Sequence, residues 1–318
     1  GGYIHNMTPG AGGGLRMWKV GIHNCYWIGS GCESMDQVLE ASAGSGVDYL
    51  EVSAAAMEGL DPGQRERIRQ KALGLGLGLS ANGGFGPETD IASDDPAVRR
   101  RGIELAKRII EGLSRMDITS WSGVVYGAWK MLPAPGSIFT ADHKKQAWEH
   151  SVNSLKEILR TAGDYQVTLS LEVVNRYEHY LLNTAEEGVR MAEETESGFC
   201  KVLLDSFHMN IEEDDMGEAI RHAHMHDKIG EIHIGEANRR VPGTGKSHMD
   251  WEGFFGTLRD IGYEGMITME PFLVQGLPIS SKICVWRDLS RQADPEGFAD
   301  MIRTGAGFIR GFWAADGK

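Results

Sequence analysis

The feature that most constrains the fold of this chain is a regular alternation of short apolar or β-branched runs with longer segments of helical periodicity. This alternation is typical of βα units arranged around a parallel sheet. Their spacing of roughly 35 residues suits an eightfold barrel of about 250 residues. The sequence therefore predicts an α/β fold, a single (β/α)8 TIM barrel. Eight runs have strand character: 19–27, 48–54, 76–82, 122–128, 167–174, 200–207, 230–236 and 265–272.

A doubly wound open sheet is the alternative fold, and it would be expected to carry a G-x-G-x-x-G fingerprint after the first strand. The segment HNCYWIGSG (23–31) does not supply glycines in that pattern. Residues 1–16 are rich in glycine and lack an apolar stretch, so we expect a flexible amino-terminal tail there. The barrel is then expected to occupy 17–318 as one catalytic domain.

Charge and cysteine content limit the partners and the compartment. The 318 residues include 32 basic and 45 acidic side chains, and a formal net charge of -13 argues against nucleic acid as a partner. The four cysteines form no C-x-x-C pair, which indicates reduced thiols and a cytoplasmic location. The apolar runs are strand-sized, far below the ~18 residues that a membrane helix needs, so no membrane association is expected.

Four side chains with the chemistry of metal ligands stand near the ends of the last four predicted strands. They are Glu172, Asp205, His233 and Glu270, and the intervals between them are 33, 28 and 37 residues, about one βα unit each. Because the carboxyl ends of barrel strands meet at one mouth, we expect the four to lie together. Three crowded carboxylates repel one another unless a cation lies between them. Carboxylate oxygens with one imidazole suit a single divalent ion, Mn²⁺ by preference, with Mg²⁺ or Co²⁺ as alternatives.

Taken singly, each of these side chains has a structural interpretation, since a carboxylate can cap a helix and a strand histidine can belong to the core. Glu178, His208 and Arg239 follow the same strand ends and could bind a polar ligand or form loop salt bridges. For Glu51, at the end of the second strand, a structural role is preferred. Aromatic side chains near the strand ends could enclose a small polyhydroxy ligand or pack in the core: Tyr26, Trp27, Tyr126, Trp129 and Phe272.

At these residues the chain resembles the ketose 3-epimerases related to D-tagatose 3-epimerase and D-psicose (D-allulose) 3-epimerase, within the xylose-isomerase-like barrels. The similarity runs from about residue 19 to the end of the chain. The segments that carry it are LEVVNRYEHYLLNTAEEG (171–188), VLLDSFHMNIEE (202–213), GEIHIGEANRRVPGTG (230–245) and ITMEPF (267–272).

The resemblance implies that the same four side chains bind the metal and that three others hold the O1, O2 and carbonyl end of a ketose: Glu178, His208 and Arg239. It also implies a homodimer or homotetramer. The chain departs from the family at His23, where relatives usually carry an aromatic residue, in a region that contacts C4 to C6 of the sugar. We therefore include His23, Trp129 and Phe272 among the expected sugar contacts.

The resulting hypothesis is metal-dependent epimerisation of free ketoses at C3. Glu172 and Glu270 are expected to act as acid and base on opposite faces of C3, through a cis-enediolate. The substrate pairs expected are D-fructose/D-psicose, D-tagatose/D-sorbose and L-ribulose/L-xylulose. The first alternative is an aldose-ketose or hydroxypyruvate-type isomerase that uses the same ligands. A metal-dependent endonuclease and a non-catalytic sugar-binding protein are further alternatives, the former disfavoured by the net charge of -13.

Overall fold

The computed structural model describes residues 18–314 of the chain, so the predicted tail at 1–16 lies outside the described part. Eight parallel strands close into a barrel in the order of the sequence, β1 to β8. The predicted (β/α)8 barrel is confirmed, and the open doubly wound sheet is wrong. The strands are β1 (Lys19–His23), β2 (Tyr49–Ser53), β3 (Gly78–Asn82), β4 (Ser120–Gly123), β5 (Thr168–Val173), β6 (Cys200–Asp205), β7 (Ile229–Ile234) and β8 (Met266–Met269).

The helices begin at residues that satisfy free backbone N–H groups. The side chains of Ser34, Thr184 and Asp215 each accept a hydrogen bond from the first turn of the helix that follows. The helices are α1 (Cys25–Ile28), α2 (Met35–Gly44), α3 (Ala54–Glu58), α4 (Pro62–Gly74), α5 (Pro96–Arg115), α6 (Ala141–Tyr165), α7 (Ala185–Glu194), α8 (Ser206–Glu212), α9 (Met216–Met225), α10 (Trp251–Asp260), α11 (Pro278–Lys282) and α12 (Pro295–Ala314).

Two predicted strands extend four or five residues beyond the ends of the observed strands. The run at 19–27 leaves the sheet after His23, because the apolar segment Cys25–Ile28 forms the short helix α1. The run at 122–128 keeps only its first two residues in β4, since Gly123 adopts a φ of +131°, a conformation that side chains with a Cβ rarely adopt. Strand β8 ends at Met269, so Glu270 is the first residue beyond it.

The described chain divides into two compact units. The first contains 18–52, 63–80 and 232–314, and the second contains 53–62 and 81–231. The extent of a single catalytic domain at 17–318 stays a prediction. No helix within residues 18–314 combines the length and the apolar character that crossing a membrane requires.

In the first unit, α12 is held by aromatic packing. Phe312 stacks on Phe255 of α10 with ring centroids 4.6 Å apart, and Trp313 meets Trp18 edge to face at 5.1 Å. The indole of Trp18 also donates to the carbonyl oxygen of Tyr263 at 2.8 Å. In the second unit, the long helices α5 and α6 pack together through buried apolar faces that include Ile109, Ile110, Leu155 and Ile158.

Candidate metal and sugar site

The second unit places three potential ligands at the ends of β5 and β6. Glu172 belongs to β5, Asp205 ends β6, and His208 lies one turn into α8. Their nearest ligand atoms all lie within 4.8 Å of one another, and all three side chains are buried. Asp205 also caps α8, because its Oδ1 accepts from the backbone N–H of Phe207 at 2.8 Å. This cluster of carboxylates and imidazole could hold a divalent cation.

The orientation of the His208 ring is set by its neighbours. Its Nδ1 accepts a hydrogen bond from the backbone N–H of Asn175 at 3.0 Å. In the neutral imidazole the proton therefore resides on Nε2, which lies 3.4 Å from Oε2 of Glu172. The ring thus presents an N–H group toward the carboxylate of the strand end.

Glu178 is held by two donors from different segments. Its Oε1 accepts from the indole N–H of Trp129 at 2.9 Å, and its Oε2 accepts from Nδ2 of Asn175 at 3.0 Å. The indole N–H of Trp129 therefore positions a carboxylate. Asn175 contacts both Glu178 and His208, and sequence reasoning missed it although it lies inside the segment LEVVNRYEHYLLNTAEEG.

Tyr126, predicted as part of a pocket wall, is fully buried and supports β5. Its hydroxyl donates to the backbone carbonyl oxygen of Glu172 at 2.7 Å. Burial raises the pKa of Tyr126 well above its usual value, and the negative charges of Glu172 and Glu178 act in the same direction. The phenol is therefore protonated at neutral pH, as the hydrogen bond to Glu172 requires.

The first unit places the remaining predicted ligands on β7 and after β8. The imidazole of His233 lies between two carboxylates: its Nδ1 is 3.0 Å from Oε2 of Glu270, and its Nε2 is 2.9 Å from Oε1 of Glu51. Arg239 lies beyond, with Nη1 3.5 Å from Oε1 of Glu270. Burial alone would raise the pKa of Glu270, but the charges of His233, His23 and Arg239 and the hydrogen bond with His233 hold it well below its usual value.

Glu51, for which the sequence favoured a structural role, contacts His233 in the structure. Its side chain is fully buried, and the histidine that it contacts is the one predicted to bind the metal. Its partner lies on a strand far away in the sequence, so no local pattern marks the pairing. The one signal in the sequence for this contact was that Glu51 lies two residues after Tyr49 on β2, so the two side chains share a face of the strand.

His23 and Phe272 lie close to Glu270 and Arg239 in this unit. The ligand atoms of His23, Glu51 and Glu270 are within 4.8 Å of one another, and Nδ1 of His23 accepts from the backbone N–H of Cys25 at 3.2 Å. The ring centroid of His23 is 6.2 Å from that of Phe272, and the guanidinium carbon of Arg239 lies 5.3 Å from the Phe272 ring. Arg239 has a φ of +69°, a left-handed conformation of the kind found at functional sites.

Each unit thus brings together the predicted residues that it contains. The first unit does so for His23, His233, Arg239, Glu270 and Phe272, and the second for Trp129, Glu172, Glu178, Asp205 and His208. Like Tyr126, two further aromatic residues considered for the pocket wall pack in the core. Tyr26 donates its hydroxyl to the carbonyl oxygen of Phe298 at 2.7 Å, and Trp27 is 1% exposed.

The chain is similar to known proteins over most of its length. Residues 39–292 match the family described as Xylose isomerase-like TIM barrel. The D-psicose 3-epimerase of Enterocloster bolteae is 37% identical over 274 residues, which cover 85% of this chain and 88% of the relative. The L-ribulose 3-epimerase of Mesorhizobium japonicum is 34% identical and covers 86% of this chain and 88% of its own.

Among solved structures, the D-psicose 3-epimerase with D-tagatose from Clostridium cellulolyticum H10 superimposes with a TM-score of 0.85. It is 35% identical, and the match covers 92% of this chain and 98% of that chain. The chain therefore belongs to the xylose isomerase-like TIM barrel family and, within it, to the ketose 3-epimerases, which are isomerases of sugars.

Proposed function

We propose that this protein catalyses the metal-dependent epimerisation of free ketoses at C3. The single observation that carries the proposal is the placement of Glu172, Asp205, His233 and Glu270 at the carboxyl ends of four consecutive strands, β5 to β8, of the closed barrel. In such barrels these ends form the active site. Relatives that act on D-psicose and L-ribulose support D-fructose/D-psicose, D-tagatose/D-sorbose and L-ribulose/L-xylulose as the substrate pairs.

The four side chains are proposed to hold one divalent cation, Mn²⁺ by preference, with Mg²⁺ or Co²⁺ as alternatives. The donor set fits such an ion, because it combines three carboxylates with one imidazole. The orientation of His233 adds to the fit, since its Nδ1 lies 3.0 Å from a carboxylate oxygen of Glu270, and two such atoms can share a cation. When bound, the ion stabilises the negative charge that develops on the ketone oxygen.

Epimerisation removes the proton from C3 and returns a proton to the opposite face. Two carboxylates are needed, one on each face, and we assign this work to Glu172 and Glu270. One takes the C3 proton as a base, and the other, protonated, then delivers a proton to the opposite face of C3 of the cis-enediolate. Proton exchange with solvent returns the two carboxyl groups to their starting states. A placed acid or base typically contributes ~10² to 10⁴-fold to the rate.

The surrounding side chains are proposed to orient the sugar. Glu178, His208 and Arg239 bind the O1, O2 and carbonyl end, while His23, Trp129 and Phe272 enclose the rest. The fixed positions of the first group support this assignment, because Glu178 is held by two hydrogen bonds and His208 accepts one from the backbone. Groups that are already oriented lose less entropy when the substrate binds.

The first experiment follows deuterium by proton NMR when the Mn²⁺-loaded protein is mixed with D-fructose, D-tagatose or L-ribulose in D₂O. We expect deuterium at C3 together with the C3 epimer. The variants Glu172→Gln and Glu270→Gln should each lose at least ~10²-fold in turnover in both directions. The exposed Glu104→Gln provides the matched control, with wild-type rates expected.

Deuterium at C1 or C2 with an aldose as product would replace the epimerase proposal by the isomerase alternative. Near-wild-type turnover in either glutamine variant would reject the acid and base assignment. Exchange with none of the three ketoses would reject the proposal as a whole.

We also propose that the protein works as a homodimer or homotetramer in the cytoplasm. The assembly is proposed by analogy with the family that the sequence resembles. The compartment is supported by the four cysteines, Cys25, Cys32, Cys200 and Cys284, which are all free. Light scattering after size-exclusion chromatography measures the number of subunits. A monomer at micromolar concentration would contradict the proposed homodimer or homotetramer. Cell fractionation measures the location.

A further inference from the structure

We propose that Glu51 is a positioning residue for His233: its carboxylate holds one ring nitrogen so that the other is presented to the cation. This inference rests on the proposed metal site. Oε1 of Glu51 lies 2.9 Å from Nε2 of His233, and both side chains are 0% exposed. An ionised carboxylate oxygen only accepts hydrogen bonds, so Nε2 carries a proton. Nδ1 faces Glu270 at 3.0 Å, so the proton on Nδ1 is the one that a cation displaces, and its loss leaves the Nδ1 lone pair to bind the cation.

The carboxylate of Glu51 is itself held in place by hydroxyl groups from two other strands. Its Oε2 lies 3.4 Å from Oγ of Ser80 on β3 and 3.3 Å from Oγ1 of Thr268 on β8. Oγ1 of Thr268 lies 2.6 Å from the hydroxyl of Tyr49. A consistent set of contacts results: Tyr49 donates to Thr268, Thr268 donates to Oε2 of Glu51, and Nε2 of His233 faces Oε1 of Glu51 at 2.9 Å.

The strand register explains why these groups meet. Tyr49 and Glu51 are two residues apart on β2 and therefore point to the same face of the strand. Thr268 is the direct neighbour of His233 in the pairing of β7 with β8. Room for the Tyr49 ring depends on Gly21 of β1, because a Cβ at that position would lie 2.2 Å from the ring. The arrangement is thus built into the barrel wall rather than into a loop.

Burying an ionised glutamate costs free energy unless an oppositely charged or hydrogen-bonding partner compensates the charge. Here the partner is the imidazole that binds the metal in our proposal, and a carboxylate on the far nitrogen fixes the ring and makes the near nitrogen a stronger ligand. Substitution of such a group typically costs ~10 to 100-fold in metal affinity. We therefore expect Glu51 to act on metal binding, without contacting the sugar or the reacting carbon.

The test measures the affinity of the metal-free protein for Mn²⁺ by calorimetry and by electron paramagnetic resonance of free Mn²⁺. Glu51→Gln keeps the shape and one acceptor oxygen but removes the charge. We expect its Kd for Mn²⁺ to rise by ~10 to 100-fold. Glu236→Gln is the matched control, because Glu236 is also buried and its carboxylate binds Ser247 and Trp251 instead. Its Kd should stay within about threefold of the wild type.

A double-mutant cycle with Thr268→Val separates positioning from general packing. The valine variant should weaken Mn²⁺ binding when Glu51 is present and have a clearly smaller effect in the Glu51→Gln background. In parallel, ¹⁵N NMR of the His233 ring should show the proton on Nε2 in the Mg²⁺-loaded wild type.

Equal Mn²⁺ affinity in the wild type and Glu51→Gln would overturn the inference, as would an equal loss in Glu236→Gln. Because binding is measured without sugar, the two proposals can fail separately. A wild type whose Mn²⁺ affinity depends on Glu51 but which does not epimerise ketoses would reject only the proposed function. A wild type that epimerises ketoses while Glu51→Gln binds Mn²⁺ normally would reject only the role of Glu51.

Discussion

The stability of this protein should depend on His179 in mildly acidic solution. His179 follows β5 and is 2% exposed. Its Nδ1 accepts from the backbone N–H of Leu181 at 3.1 Å, and its ring stacks on Tyr180 with centroids 4.6 Å apart. Burial lowers the pKa of His179 to about 4 from the ordinary 6.5. The folded protein therefore keeps this ring neutral where the unfolded chain would protonate it.

The sign of the effect follows from the proton count. Between pH 6.5 and 4 the unfolded chain binds a proton at His179 and the folded chain does not, so the free energy of unfolding falls as the pH falls. A shift of one pKa unit corresponds to about 1.4 kcal/mol, and the lowered pKa of His179 gives about 3 kcal/mol over this range. Above pH 6.5 the contribution is fully present and constant.

The assay is urea unfolding of the metal-free wild type and of His179→Gln at several pH values between 7 and 4. Glutamine can accept from Leu181 but cannot titrate. We expect the variant to lose about 3 kcal/mol less than the wild type between pH 6.5 and 4. His248→Gln, at an exposed histidine, is the control and should follow the wild type. Parallel curves for the wild type and His179→Gln over this range would refute the reasoning.

Three further predictions concern the same parts of the molecule. Gly127→Ala would place a Cβ 2.9 Å from Nε2 of His179, so urea unfolding should show a loss of about 1–3 kcal/mol. Trp129→Phe removes the indole donor at 2.9 Å from Glu178, and ketose kinetics should show kcat/KM reduced about tenfold. Adding Mn²⁺ at about 100 times its Kd should stabilise the metal-free protein by about 2.7 kcal/mol in urea unfolding. No metal-dependent change would contradict the proposed site.

The barrel and the strand-end positions of the four proposed metal ligands were predictable from the sequence, because both depend on a repeat along the chain. Burial on both faces makes each strand of a parallel sheet apolar, and each helix repeats its apolar face about every 3.6 residues. Glu172, Asp205, His233 and Glu270 recur once per βα unit, so their common location at the strand ends follows from the repeat alone.

The exact ends of the strands were less predictable. Cys25–Ile28 is as apolar as the strand before it, and periodicity cannot distinguish a short buried helix from a strand. The end of β4 depends on the left-handed conformation of Gly123, which no neighbouring residue in the sequence indicates. In both cases packing around the segment selects the conformation.

The sequence by itself determined the βα repeat, the acidic charge and the set of donor side chains, because residue type and spacing are properties of the chain. Only the tertiary structure decided which carboxylate each imidazole faces. Thr268 reaches Glu51 across 217 positions of sequence, and Asn175 reaches His208 across 33. Such hydrogen bonds depend on how the strands pair when the barrel closes. The nitrogen that each histidine presents to a ligand is therefore a property of the folded barrel.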